Sequence, residues 1–232
     1  MRKIVNDSSG TFGSRIAAEA LEQNHEVIYL AAEKCKTPFS TTFDFNQTRD
    51  WEKEIGRFAQ LYNFCEKHRK HYSEWRYQTF EEYWRALERL IKDQKPDAVI
   101  LAAAVSDYLV ENPVDGKIRS GADKNIPLKD APKIISMVKE WQSEMVLVGF
   151  KFLVGSTEEE LIDEAKKSIE KNGCAFVVAN DATTLHSGRH EIVIVEPSPN
   201  GYKHQRYKKE LEKAILQQLV KKEKPCTTSS SE

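Results

Sequence analysis

No charge of one sign is in surplus. Lys and Arg number 35 against 36 Asp and Glu, a formal charge of −1. A protein held to nucleic acid through its phosphates carries a basic excess, so no nucleic-acid partner is expected. Long apolar runs are also missing: none approaches the roughly 20 residues of a membrane helix. Residues 1–15 are mostly polar, unlike a secretory leader, and no membrane partner is expected. Cysteine is scarce. Cys35, Cys65, Cys174 and Cys226 show no CxxC spacing and no neighbouring His cluster. That excludes the usual zinc patterns and points to free thiols in a reducing cytoplasm. Cys174 lies just before an apolar run and is read as a small core residue.

Several catalytic signatures are absent too. There is no GxxxxGK[ST] and no GxGxxG opening the chain, which argues against a P-loop enzyme and a dinucleotide fingerprint. Four residues after Tyr108 stands Asn112, so the reductase pair Tyr-xxx-Lys is lacking. No His stands as an obvious base. His68 and His71 fall in a charged helix and His186, His190 and His204 in late loops, and all are read as surface residues.

What is present reads as an ordinary globular chain, 40% apolar and 31% charged. Residues 26–30 (EVIYL), 98–104 (AVILAAA), 145–150 (MVLVGF), 175–179 (AFVVA) and 192–195 (IVIV) are short runs rich in Val and Ile. Continuous hydrophobicity suits strands covered on both faces, as in a parallel α/β sheet. Amphipathic stretches at 12–23, 132–141, 156–172 and 208–220 read as helices between them. The third opens with a capping box at Ser156 and Glu159 and stops at Gly173. Such alternation predicts a Rossmann-like, doubly wound, mostly parallel sheet with helices on both faces.

Residues 50–95 interrupt this pattern. They hold ten of the 22 aromatics and three of the four Trp. Phe58, Leu61, Tyr62 and Cys65 follow a helical period, as do Phe80, Tyr83, Trp84, Leu87 and Ile91 after a second capping box at Thr79 and Glu82. The expectation is a helical insertion whose aromatic stripe packs on the sheet or on a second subunit. Residues 1–220 are read as a single domain and 221–232 as a disordered tail.

In open parallel sheets ligands gather beyond the carboxyl ends of the strands. The expected strands lead into Val105-Ser106-Asp107-Tyr108, Gly149-Phe150-Lys151 and Asn180-Asp181, all at one rim. Asp107 there either accepts hydrogen bonds from a ligand or caps a turn. Residues 6–13 (NDSSGTFG) run into a helix, where small residues let backbone N–H groups approach an anion or simply form an N-cap. Residues 116–121 (GKIRSG) place two cations in a glycine-flanked loop, suited to a lid over a polyphosphate.

In order, Arg2, Asn6, Ser8, Ser9, Gly10 and Gly13 (RxxxNxSSGxxG), AAAVSDY at 102–108, KIRSG at 117–121, APKII at 131–135, GFK at 149–151, Lys167 to Asn172 (KxxxKN) and VAND at 178–181 resemble the phosphopantothenoylcysteine synthetase family. The likeness runs over residues 2–196 and is similar to the stand-alone form without the decarboxylase domain. It implies a ligase of coenzyme A biosynthesis that joins 4′-phosphopantothenate and cysteine through an acyl-nucleotidylate, releasing pyrophosphate and a nucleoside monophosphate. It further implies CTP or ATP as co-substrate with Mg2+, and a cytoplasmic homodimer. CTP is favoured by the bacterial character of 131–181, while the insertion at 50–95 is similar to the ATP-using eukaryotic enzymes. The matching positions imply catalytic roles for Asn6 and Lys117. Substrate binding falls to Arg2, Asn6, Ser9, Gly10 and Asn180. Nucleotide binding falls to Ala103, Asp107, Lys117, Ala131, Pro132, Lys133, Ile134, Phe150, Lys167 and Lys171. No protein metal ligand is implied. The pattern departs in one place: the family's strand and Gly-Gly-Thr loop before the arginine have no counterpart ahead of Arg2. The alternative reading is therefore a catalytically impaired nucleotide- or pantothenate-binding homologue.

Overall fold

The computed structural model describes residues 8–41, 50–113, 125–183 and 190–222. Its elements in order are α1 (Thr11–Glu22), β1 (Val27–Ala32), α2 (Trp51–His68), β2 (Tyr72–Tyr77), α3 (Phe80–Gln94), β3 (Ala98–Ile100), β4 (Tyr108–Val110), β5 (Leu128–Asp130), α4 (Val138–Trp141), β6 (Val146–Leu153), α5 (Glu158–Asn172), β7 (Phe176–Asp181), β8 (Ile192–Ser198), β9 (Gly201–Tyr207) and α6 (Leu211–Val220).

The central sheet has the order β3-β6-β7-β8-β9. The pairs β3–β6 and β6–β7 are parallel, and β7–β8 and β8–β9 antiparallel. Alternate residues of the middle strands enter two separate cores, as the two-residue period of a strand requires. Leu147, Val177, Ala179, Val193 and Val195 pack with α3, α4 and α5. Val148, Phe176, Val178, Ile192 and Ile194 pack with α1 and α6. The doubly wound α/β reading is borne out on this point.

The orientation of 192–195 is a correction. Its unbroken apolar run is antiparallel to β7, yet covered on both faces. Continuous hydrophobicity reports two-sided burial, not strand direction. The run after it, β9 (GYKHQRY), is polar, as suits the edge it forms among the described residues. The strand read over 98–104 stops at Ile100. The Ala102 N–H bonds the Ile100 carbonyl at 3.2 Å and the Val105 N–H the Ala103 carbonyl at 3.0 Å, so the chain turns away from the ladder. Residues 134–137 form a 3-10 turn ahead of α4, which shortens the helix read over 132–141.

The insertion is not wholly helical. β2 lies inside it and pairs in parallel with β1 over six residues. Of its two aromatic stripes, that on α3 is core, with Tyr83, Leu87 and Ile91 buried. That on α2 is outside the core: Phe58 and Tyr62 are 38% and 65% exposed. His68 at the end of α2 corrects a surface assignment. It is buried against Phe64, and its Nε2 lies 3.7 Å from Glu22. Among the described residues β1 and β3 each have one hydrogen-bonded strand neighbour.

Helix ends follow local chemistry. Thr79 and Glu82 form the expected reciprocal capping box. At α5 the box sits one residue later than read, on Thr157 and Glu160, because Ser156 gives its N–H to Asp181 instead. Gly173 closes α5 in the left-handed conformation, as expected. Cys174 is buried beside it, and burial pushes its thiol up to about 11.

Phe176 is fully buried in the α1–α6 core. Phe176→Ala should cost about 3–5 kcal/mol of stability and Thr79→Ala, which removes a cap, about 1 kcal/mol. Urea unfolding followed by circular dichroism checks both, with the larger shift in midpoint at Phe176.

Candidate functional site

Of the residues singled out from the sequence, Ala103 and Asp107 follow β3, Phe150 lies on β6 and Asn180 on β7. Asp107 follows the turn after β3. Its backbone carbonyl accepts the Ala131 N–H at 2.8 Å, and its carboxylate pairs with the Lys133 ammonium. The segments 102–108 and 131–135 are thus tied at two points, and Asp107 is left 68% exposed. Ala103 and Pro132 are exposed beside them. Ile134 turns its side chain into the core, so this position offers a ligand its backbone.

The Ser8-Ser9-Gly10 turn stands at the start of α1. Gly10 adopts φ +69° as the N-cap and supplies no capping side chain, while Ser9 Oγ accepts the Thr11 N–H at 3.3 Å. The first turn of α1 therefore presents backbone N–H groups toward an anion. Gly10 must remain glycine on two counts. Its φ is left-handed, and a Cβ there would come within 2.7 Å of Cys35 Cβ. Two residues on, Phe12 stacks edge-on to Phe150 at 6.0 Å between centroids, linking the α1 turn to β6. Phe12 also meets His190 at 4.4 Å. His190 is half-buried rather than a surface loop residue, and among the described residues its Nε2 has no hydrogen-bond partner. Burial, helped by the Arg15 cation, lowers its pKa and favours the neutral ring.

Beyond β6 an open groove of about 480 Å3 is lined by Leu153, Gly155, Ser156, Glu160, Glu164 and Lys167, among others. Lys167 pairs with Glu164 at 2.7 Å and Lys151 with the other Glu164 oxygen at 3.1 Å. Those two cations hold the Glu164 carboxyl below the usual range. Lys171 is exposed in the last turn of α5 and is not among the groove's lining residues. Asn180 is half-buried on β7 opposite Phe152.

Asp181, next to Asn180, carries more structure than its sequence context suggested. It is buried, accepts the Ser156 N–H at 2.9 Å and the Thr183 N–H at 2.7 Å, and also accepts the Thr183 hydroxyl. It fixes the loop that walls the groove. Arg2, Asn6 and Lys117 lie outside the described residues. The structure thus joins Asp107 to Ala131 and Lys133, and Phe150 to the α1 turn, while Lys167 stands on the groove wall. Among the described residues no group of three His, Cys, Asp or Glu side chains converges as a metal cage. No described helix is long and apolar enough to cross a membrane.

The hydrogen bonds to Asp181 depress its pKa below the ordinary 3.8, the Thr183 hydroxyl contributing most. A depressed carboxyl adds stability above its unfolded-state value, and that contribution is lost as pH falls through the folded-state pKa. Asp181→Asn should therefore melt below the wild type at pH 7. The gap should close as pH falls below 3.8. Paired thermal melts across that range check the sign.

Comparison with known proteins places the chain. The family model for the DNA/pantothenate metabolism flavoprotein C-terminal domain matches residues 66–222. The coenzyme A biosynthesis bifunctional protein CoaBC of Thermococcus kodakarensis is 38% identical over 195 residues, 84% of this chain and 41% of that protein. Its counterpart in Methanocaldococcus jannaschii is 30% identical over 126 residues, 54% of this chain and 31% of that one. The chain thus spans less than half the length of these curated relatives. Among solved structures, the DNA/pantothenate metabolism flavoprotein of Streptococcus pneumoniae superposes with a TM-score of 0.71 at 24% identity, over 95% of this chain and 91% of that one. A Cab2 mutant in complex with phosphopantothenate-cysteine superposes at 0.72 and 21% identity, over 95% and 80%. The resemblance first carried by the ordered motifs is borne out, and this chain belongs to the DNA/pantothenate metabolism flavoprotein C-terminal domain family.

Proposed function

We propose that the protein is a phosphopantothenate–cysteine ligase of coenzyme A biosynthesis. The observation that carries this reading is the pairing of motifs that are distant in sequence. Asp107 is locked to Ala131 and Lys133, and the Ser9-Gly10 turn meets β6 through Phe12 and Phe150. Kinship to two bifunctional coenzyme A biosynthesis proteins supports it.

A carboxylate at neutral pH is a poor acyl donor, so the reaction needs activation. The carboxylate of 4′-phosphopantothenate attacks the α-phosphorus of a nucleoside triphosphate, and pyrophosphate leaves. The amine of cysteine then attacks the acyl carbon, the nucleoside monophosphate departs, and the amine loses a proton as the amide forms. In this reading Asn6 donates its amide to charge developing on the acyl oxygen. Arg2, Ser9, Gly10 and Asn180 hold the phosphopantothenate. Ala103, Asp107 and the 131–134 backbone receive the nucleotide against Phe150. Lys117, Lys167 and Lys171 offset the charge of its phosphates. Magnesium, where present, would help these lysines offset the charge of the triphosphate, and no protein side chain is assigned to hold it. CTP is the preferred co-substrate and ATP the alternative, and the enzyme works as a cytoplasmic homodimer.

Pyrophosphate release should require a nucleoside triphosphate together with phosphopantothenate, and amide formation should require cysteine. An absence of both with CTP and with ATP would leave the impaired-homologue reading. Lys117→Gln keeps most of the length of the side chain and removes its charge. One charge-assisted contact made in the transition state is worth about 1.5–3 kcal/mol, so pyrophosphate release in a single turnover should fall roughly tenfold to over a hundredfold without a change in melting temperature. Near-wild-type release would remove Lys117 from the chemistry.

A further inference from the structure

The Ser8-Ser9-Gly10 turn does not stand by itself. It rests on residues 33–36, the loop that follows β1. The Lys36 N–H bonds the Ser9 carbonyl at 2.9 Å, and the Cys35 thiol donates to the Ser8 carbonyl at 3.2 Å. Cys35 also fills the space where a Gly10 side chain would go. The loop in turn is held from two sides. Tyr29 donates its hydroxyl to the Lys36 carbonyl at 3.0 Å, and burial pushes its pKa up to about 12, so it remains a donor. From β2, Arg76 places Nη1 2.9 Å from both the Ala32 and the Cys35 carbonyls, and 3.4 Å from that of Glu33. Arg76 is itself aimed by Glu74, which accepts its Nε–H at 2.6 Å and the Tyr72 hydroxyl at 2.7 Å.

We infer that Arg76 is a positioning residue. Gripping the carbonyls at the end of β1, it sets the height of Cys35 and Lys36, and through them the Ser8–Gly10 turn that receives the substrate. The inference rests on the proposed ligase reading for what that turn binds. A guanidinium suits the task because Nη1 reaches the carbonyls while Nε, fixed in the same plane, stays paired with Glu74. A lysine offers one ammonium, which can bond the carbonyls but leaves no second nitrogen in a fixed plane to pair with Glu74. The aromatic insertion at 50–95 therefore contributes β2 and its arginine to the site, beyond the packing of α3.

Arg76→Gln and Arg76→Lys, with Glu74→Gln as a milder loosening, test this in the full chain. Iodoacetamide labelling of Cys35, read by mass spectrometry against Cys65 in α2, reports on the turn without reference to activity. Labelling should rise at least about threefold in Arg76→Gln, as a loosened loop exposes the thiol. Over the same variants KM for phosphopantothenate should rise about tenfold while nucleotide affinity stays within about twofold, the signature of a lost ground-state contact at one substrate only. Arg76→Lys should fall between wild type and Arg76→Gln. Unchanged Cys35 labelling, or equal losses for phosphopantothenate and nucleotide, would overturn the inference. If Arg76→Gln fails to fold, Glu74→Gln must show the same two changes at smaller size, and its silence would count equally against it. A wild-type protein that binds no phosphopantothenate would overturn the ligase reading itself, and the labelling ratio would still decide whether Arg76 holds the turn.

Discussion

Burial of β6, β7 and β8 on both faces is the constraint from which the rest of the molecule follows. Leu147, Val148, Phe176, Val177, Val178 and Val195 are essentially inaccessible to water. Each apolar side chain buried in this way stabilises by about 1.5–3 kcal/mol relative to exposure, and alternate residues must find cover on opposite sides. Helices α3, α4 and α5 cover one side and α1 and α6 the other. With both faces closed, polar chemistry is left to the strand ends. The motifs carrying Asp107, Phe150 and Asn180 all emerge there.

The rim is ordered partly by buried acceptors and partly by surface ion pairs such as Asp107 with Lys133. Lys167 and Lys151 meet on Glu164, but exposed pairs of this kind contribute little to stability. Asp181 differs, since it is buried and accepts hydrogen bonds from two segments. A buried carboxylate needs such donors, and in finding them it fixes the loop before α5. The carbonyls at the end of β1 are organised in a comparable way by a single guanidinium. These loops are thus held at their bases while their outward groups stay open to solvent.

Much of this was legible in the residues themselves. Runs of Val and Ile marked the buried strands, and the Thr79 and Glu82 pair marked a helix start, because both signals are local. Other readings failed where the deciding partner was distant in sequence. Ser156 looked like a cap, but Asp181, 25 residues away, takes its N–H and leaves Thr157 to cap α5. His68 looked like a surface residue of a charged helix, yet Phe64 and the Glu22 side bury it. β2 hid among aromatic and charged residues because its partner β1 lies some 45 residues earlier, at the register Val27 to Tyr72.

The sequence by itself determined the α/β class, the two-sided burial of the middle strands, the caps of α3 and α5 to within a residue, and the order of the site motifs. These depend on periodicity and on neighbours a few residues apart, which a chain carries wherever it folds. Only the tertiary structure decided that β8 runs antiparallel, that Asp107 pairs with Lys133 across 26 residues, and that Arg76 grips carbonyls 41 and 44 residues away. Strand direction and long-range hydrogen bonds depend on where the chain returns in space. A local pattern of apolar and polar residues does not encode that return, since the same alternation is satisfied by either direction and by any partner that brings the right donor.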